Sequence, residues 1–439
     1  MGTLRRMLKT LDLRGVPDSE PLDLPRPDLG AEGPVEDVRA ILADVRARGD
    51  AAVRDLTSRF DGVELAELRV APEELDDALG RLDPELREAL VAARDAVESF
   101  HRHRAPLPER YERDGISVDH IEVPVDRAGV YAPGGRAKYP SSVLMTAVPA
   151  RVAGVGSVVC CVPPGPDGSL PVEILAAAAL AGVDEVYRIG GAQAIAAMAY
   201  GTESVGKVDV IVGPGSKWVS IAQREVRGVV GVPAAFAGPS EVVVVADESA
   251  PPSWAAIDVA VQAEHGPDGL AWLVTWSEDA AREIADALER IVERSPRREE
   301  TTSTLASGGH VVLVDGPAQA MRVANEIAPE HLELLVVDPD ALLRLVRHAG
   351  AVFLGPLAPA SVGDYMAGPS HVLPTFATAR FASVLGVEDF VRRVHAVRVD
   401  RRGIQQVARH VAAIADAEGL PAHAESVRLR LGEATWSAP

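Results

Sequence analysis

Between residues 129 and 240 the sequence repeats one theme: a short apolar strand, a glycine turn and an alanine-rich helix. The strand candidates are GVYAP, SVVCCV, EVYRIG and VDVIVG, and the turns Gly134-Gly135, Gly190-Gly191 and Gly213-Pro214-Gly215 each lead towards a helix. Strands that are apolar at nearly every position are buried on both faces, and parallel strands need helical crossovers between them. The repeat therefore predicts a parallel α/β domain. A glycine turn feeding a helix also presents backbone N–H groups and a positive helix end, which suits phosphate. No G-x-G-x-x-G follows any of these strands, so a dinucleotide bound here does without the usual fingerprint.

A second α/β pattern resumes at Glu241, with strand candidates VVVVAD, LAWLVTW, HVVLVD, LELLVV and AVFLG and helical segments between most of them. Apolar residues also recur at helical spacing over 34–60 and 83–104, while 116–123 alternates like a strand. Residues 27–128 are expected to complete the second pattern. The chain then reads as two Rossmann-like α/β domains, one inserted in the other. The first comprises 27–128 and 241–384 and carries the metal and catalytic site; the inserted one, 129–240, binds nucleotide. An N-terminal segment (1–26) and a C-terminal helical segment (385–439) flank them. The latter contains the strand VRRVHAVRVD and helices over 405–417 and 421–431, too little for a large core, and is expected to dock elsewhere.

Composition narrows the function. The 439 residues are 47% hydrophobic, as a globular chain is, and carry 44 Lys and Arg against 64 Asp and Glu, for a net charge of −20. The basic residues are scattered, which argues against nucleic acid and against an anionic membrane surface as partners. Arg5, Arg6 and Lys9 precede no apolar core of the ~7–15 residues a signal peptide has, and no charge-free run reaches the ~18–20 residues of a membrane span. The two cysteines, Cys160 and Cys161, are neighbours on a strand and point to opposite faces, so they read as small hydrophobes. A cytoplasmic protein is expected. The segment 201–208 has P-loop spacing but places Val208 where the magnesium-binding hydroxyl belongs, and it precedes a strand; it is rejected.

Four clusters carry chemistry. In QAEHGP, a helix opened by Pro251 and Pro252 has Trp254, Ile257 and Val261 on one stripe and is stopped by Gly266 and Pro267. Gln262 and His265 fall in its last turn and are expected to continue that stripe inward. A core histidine bonding the last free carbonyls is the plainer alternative. In APEH, Pro329 breaks a helix, so Glu330 and His331 lie in extended chain before LELLVV, face opposite ways and can serve two different proton transfers. The loop GDYMAGPSHVLPT offers Asp364 as a hard oxygen ligand and His371 as an imidazole. In EGLPAH, Gly419 ends one helix and Pro421 starts another. That sets His423 near a helix N-terminus, whose field disfavours protonation and leaves the ring able to bind metal. Gln262, His265, Asp364 and His423 form a nitrogen and oxygen set without thiolate that suits zinc, and manganese equally by ligand chemistry.

GVYAPGG, GGAQAIAA, AGPSE, QAEHGP, APEHL, GDYMAGPSHVLPT and EGLPAH occur in this order over nearly the whole chain, which resembles the histidinol dehydrogenase family. The resemblance implies oxidation of L-histidinol through L-histidinaldehyde to L-histidine with two NAD, the last two steps of histidine biosynthesis. It implies zinc held by Gln262, His265, Asp364 and His423, with Ser240, His371 and Glu418 around the substrate. It further implies Glu330 and His331 as the acid/base pair, Tyr131 and Gln193 as nucleotide contacts, and a homodimer whose C-terminal residues reach the partner's site. Two positions depart from the family pattern: Ser216 in the Gly-Pro-Gly turn and Ser370 before His371 stand where asparagine is usual. The first puts a nucleotide contact in question; the second bears on how the substrate loop is held. The competing reading is a related zinc and NAD dehydrogenase for another small primary alcohol. A zinc hydrolase would not need the glycine-turn domain, and a noncatalytic metal binder would not need Glu330 and His331.

Overall fold

The computed structural model describes residues 7–25, 34–104, 109–134, 138–233, 240–266, 269–433 and 436; of Glu109 and His265 it describes the backbone alone. The chain forms two units, Met1–Arg104 with Val125–Phe390, and Ala105–Pro124 with Val391–Pro439.

The first unit holds two parallel sheets. One has four strands in the order Glu185–Arg188, Ser157–Val162, Arg127–Tyr131, Val210–Val212. Its alternating side chains feed two cores: Val158, Cys160 and Val186 face the helices Pro140–Ala153 and Val172–Leu180, while Val159, Cys161 and Tyr187 face Gly191–Tyr200 and Lys217–Glu225. The two cysteines thus part to opposite faces, as expected, and burial pushes the Cys160 thiol up to about 12, so neither is a nucleophile. The other sheet has six parallel strands in the order Lys9–Asp12, Gly309–Leu313, Leu270–Thr275, Glu241–Ala246, His331–Leu335, Ala351–Leu354. Helices cover it on both faces as well. All nine strands expected after residue 128 in the two α/β patterns are present.

Three expectations are corrected. The helices of 35–104 do not complete the six-stranded sheet: Val38, Val45, Val53 and Leu56 share a core with Ile211 and Ile195, and Leu75, Leu90 and Val97 with Val130 and Leu144, both on the four-stranded sheet. An amphipathic stripe tells that a helix is covered, not by what. The edge strand of the six-stranded sheet comes instead from Lys9–Asp12, whose KTLD sequence is mostly exposed and gives no strand pattern. The segment around Ile116–Pro124 pairs antiparallel with Val391–Val399 and with Glu109–Arg113 in the second unit, while Leu385 and Phe390 remain in the core of the first. The C-terminal piece therefore begins at Val391 and takes a hairpin from residues 109–124. In it the helices Arg401–Ala417 and Pro421–Leu431 pack on each other through Ala408, Ala412, Ala415, Ala424 and Val427.

Both sheets reverse strand order once. In the four-stranded sheet the reversal lies between Arg127–Tyr131 and Val210–Val212, and Gly213 follows directly with φ at +117°. A Cβ there would stand 2.1 Å from the Tyr131 carbonyl oxygen, so only glycine lets the two strand ends close on each other. Gly213→Ala is expected to cost at least about 2 kcal/mol, from left-handed strain and backbone displacement together. A urea unfolding curve superimposable on that of the parent protein would contradict this close approach.

Candidate active site

The six-stranded sheet reverses between Glu241–Ala246 and His331–Leu335, which pair in parallel with His331 opposite Val242. The helix Pro317–Ile327 ends at Ala328, which takes left-handed φ of 49°, and Pro329 forbids continuation. Glu330 and His331 are thereby delivered to the amino end of the strand, level with Glu241, and both are buried.

Glu241 anchors the pair through its backbone. Its N–H donates to Glu330 Oε2 at 3.0 Å, and its carbonyl oxygen lies 3.3 Å from His331 Nδ1. The other ring nitrogen, Nε2, lies 3.2 Å from Asp364 Oδ1. A carbonyl and a carboxylate can only accept, so the ring in this arrangement carries protons on both nitrogens. Burial opposes that charge, but Glu330 and Asp364 outweigh it and raise the imidazole to about 9. Burial pushes the Glu330 carboxyl up to about 7, against the nearby His331 cation. The expectation that the two residues face away from each other is only half met. His331 presents Nε2 to Asp364, yet its Nδ1 is 3.7 Å from Glu330 Oε2, so the two groups feel each other's charge.

Asp364 comes from the short helix Ala360–Tyr365. Its own carbonyl oxygen is 3.0 Å from His371 Nδ1, and His371 Nε2 is 3.4 Å from Ser142 Oγ on the helix Pro140–Ala153. Ser370, one of the two departures, is buried: its hydroxyl donates to the Met145 carbonyl at 2.9 Å and accepts from the Val372 N–H at 3.2 Å. Serine at this position thus fastens the loop to the helix that also carries Ser142. A cavity of about 590 Å³ opens over this group, lined by Asp364, Tyr365, Ser361, Val261, Glu264 and Tyr139.

The helix Pro252–Val261 and a following 3-10 turn, Gln262–His265, arrive at the same end of the sheet. The face that packs is not the expected one. Trp254 and Ile257 are 44% and 43% exposed, and the small side chains Ala255, Ala256, Val259 and Ala260 are buried instead, because they let the helix lie close on the strands. Gln262 is buried all the same, one turn beyond Asp258 and Val259. Its Nε2 has no hydrogen-bond partner among the described residues. Amide oxygen and nitrogen are interchangeable in such an assignment, so this buried amide is free to offer its oxygen to a ligand. The His265 side chain lies outside the described residues. Among the described residues no three His, Cys, Asp or Glu side chains are placed to hold a metal. Gln262 and Asp364 nevertheless fit a zinc or manganese donor set, and two helix C-termini, ending at His265 and Ile327, lead into the site with the negative ends that favour a cation.

Ser240 is half-buried just ahead of the strand Glu241–Ala246, its carbonyl accepting from Leu270 N–H. Tyr131 ends its strand at the carboxyl edge of the four-stranded sheet, buried, with its hydroxyl accepting from the Gly191 N–H at 3.1 Å. Gln193 is buried in the helix that Gly191 opens, and Ser216 is exposed at the N-cap of Lys217–Glu225, its side chain bonding no helix N–H. These three sit at the sheet's order reversal, where α/β folds bind ligands. Glu418 and His423 belong to the second unit and are exposed on it, Glu418 closing one helix and His423 in the first turn of the next, as the sequence implies. Sequence reasoning missed Glu241 and Ser142. A charged residue opening the run EVVVVA signals the first; nothing in YPSSVLM marks the second.

The family model described as histidinol dehydrogenase matches residues 24–431. The histidinol dehydrogenase of a Synechococcus species is 50% identical over 396 residues, covering 90% of this chain and 91% of the relative. That of Chromobacterium violaceum is 46% identical over 411 residues, covering 92% and 94%. The crystal structure of histidinol dehydrogenase from Elizabethkingia anophelis superposes with a TM-score of 0.92 at 32% identity, covering 97% of this chain and 98% of that one. The chain belongs to the histidinol dehydrogenase family, and with it to the NAD-dependent oxidoreductases.

Proposed function

We propose that this protein oxidises L-histidinol through L-histidinaldehyde to L-histidine, using two NAD, with Glu330 and His331 moving the protons. The observation that carries the reading is the pair itself: a buried carboxyl and a buried imidazole fixed on one backbone residue, the imidazole bonded in turn to Asp364, which lines the cavity. We assign zinc to Gln262, His265, Asp364 and the partner subunit's C-terminal segment through His423; when bound it would hold the substrate's imidazole and amino nitrogens and so orient its alcohol. NAD accepts the hydride, held at the Tyr131, Gln193 and Ser216 end of the four-stranded sheet within the domain 129–240. His371 and Ser240 line the substrate from this chain, Glu418 from the partner.

The proton steps follow from the geometry. The Glu241 carbonyl keeps a proton on His331 Nδ1, so once the Nε2 proton has passed to solvent water and left a neutral ring, the lone pair sits on Nε2, the nitrogen that faces Asp364. His331 then takes the alcohol proton as hydride departs. The aldehyde must gain water before a second hydride can leave. Glu330, with its carboxyl raised to about 7, is matched to drawing a proton from that water near neutrality. A dehydrogenase for another small primary alcohol would share these steps; Glu418 and His371, in the positions that the family resemblance sets facing the substrate, favour histidinol.

If the division of labour holds, Glu330→Gln leaves the first oxidation within about tenfold of the parent and slows the second by about 100-fold or more. Single-turnover NADH formation at 340 nm resolves the two phases, and equal loss in both would refute separate roles. Treatment with a chelator should abolish histidinol oxidation and stoichiometric zinc restore it, with elemental analysis finding about one metal per chain. Full turnover in metal-free protein would remove Gln262 and Asp364 from the ligand set.

We infer a homodimer because the second unit exposes Val394, Val397, Val399, Ile414 and Leu429, and because two of the implied site residues, Glu418 and His423, stand exposed on it. Mixing His265→Ala with His423→Ala protomers tests whether the C-terminal segment serves the partner. Random pairing of shared segments leaves half the dimers mixed, each with one intact site, so activity should recover to roughly a quarter of the parent value. A mixture that stays inactive after demonstrated subunit exchange would show that each segment serves its own chain.

A further inference from the structure

Two buried carboxyl groups stand behind the site and take no part in the chemistry above. Glu333 follows His331 by two on the same strand, so its side chain leaves the same face, and it is fully buried. Asp258 precedes Gln262 by four, one turn earlier on the same side of the helix, and is 6% exposed. The two side chains are hydrogen-bonded to each other. Glu333 Oε1 also accepts the backbone N–H of Ala360 at 3.2 Å, and Ala360 opens the helix that carries Asp364. Its Oε2 has no donor among the described residues unless a proton lies between the two carboxyls. Two carboxylates can only accept, so their contact exists only if one of them is protonated. Burial, reinforced by Asp258, pushes Glu333 up to about 9, which agrees with that count.

We propose that Asp258 and Glu333 share one proton and act together as positioning residues, tying the helix that leads to Gln262, the strand that starts at His331 and the helix that bears Asp364 into one fixed arrangement. Each link is a single buried bond: Asp258 to Glu333, Glu333 to the Ala360 N–H. Neither residue touches substrate. Their role rests on the reading of Gln262 and Asp364 as metal ligands, because what they hold in register is that pair relative to His331.

Three substitutions in the full-length protein separate positioning from charge. Glu333→Gln keeps an amide donor for Asp258 and an oxygen for Ala360. Glu333→Asp keeps the acid but is one methylene shorter and cannot span both partners. Glu333→Leu removes both bonds. Two readouts are needed: zinc affinity by competition with a chelator, and hydrogen exchange over residues 360–365 in metal-free protein. The glutamine variant is expected within about threefold of the parent in zinc affinity and kcat. The aspartate variant is expected to lose about 10–100-fold in both, with KM for NAD unchanged. Exchange over 360–365 should quicken in the aspartate and leucine variants and stay slow in the glutamine variant. A glutamine variant as damaged as the aspartate one overturns the proposal, as does a folded aspartate variant with parental exchange and zinc affinity. If exchange follows the expected order but the parent protein neither binds zinc nor oxidises histidinol, the tie stands and the ligand assignment falls. The isosteric glutamine variant and the shorter aspartate variant keep the test usable should the leucine variant fail to fold.

Discussion

Everything at this site depends on keeping ionisable groups alive in a dry place. Glu241, Asp258, Glu330, His331 and Glu333 are all buried, and Asp364 half so, at one edge of a sheet whose strands are otherwise valine and leucine. An unpartnered buried charge costs several kcal/mol, so each group needs a specific answer. Backbone N–H groups provide three: Glu241 for Glu330, Ala360 for Glu333 and Phe376 for Glu241. A doubly protonated imidazole provides another, and a proton between Asp258 and Glu333 removes one negative charge altogether. The parallel pairing of Glu241–Ala246 with His331–Leu335 makes these answers possible, because it sets the Glu241 peptide against the Glu330 and His331 side chains at once. A register slip by one residue would send His331 to the other face and leave every one of these groups unpaired.

Sheet polarity gives the two proposed sites opposite electrostatic character. In a parallel sheet every covering helix runs opposite to the strands, so helix C-termini gather at the amino ends of the strands and helix N-termini at the carboxyl ends. The catalytic cluster lies at the amino ends of the six-stranded sheet, where the helix ends at His265 and Ile327 bring negative partial charge. The predicted nucleotide residues lie at the carboxyl ends of the four-stranded sheet, where Gly191 and Lys217 begin helices whose N-terminal ends bring positive partial charge. The electrostatic character of each end follows from the direction of the strands before any side chain is chosen.

Sequence alone made the parallel strands legible, since runs such as SVVCCV and EVVVVA have no other stable environment. It made the cluster around Glu330, His331, Asp364 and His371 legible too, because proline and glycine fixed where helices stop. What it could not convey was pairing between distant segments. The helices over 35–104 show an apolar face but nothing that distinguishes one sheet from the other. KTLD gives no strand signal because an edge strand with solvent on most of its positions needs none. The helix Pro252–Val261 was misjudged for a different reason: its bulkiest residues, Trp254 and Ile257, suggested the buried face, whereas close packing on a sheet selects the small ones. Asp258 and Glu333 were illegible as a pair, although Glu333 inside HLELLVV is a charge on a buried strand and so a signal that some partner must exist.

The second unit poses the opposite physical problem. Its helical hairpin buries five small side chains, Ala408, Ala412, Ala415, Ala424 and Val427, while its strand Val391–Val399 and helices leave Val397, Ile414 and Leu429 about 60% exposed. Burial at about 25 cal/mol per Å² over so few small groups does not offset the entropy of ordering some seventy residues. Val394 stands opposite the exposed Ile121 on one face of the sheet, while Val397 and Val399 leave its other face, so both faces carry exposed apolar residues. Surfaces of that kind gain stability when covered. On the proposal that Glu418 and His423 serve a partner's site, covering this unit and completing that site are one event.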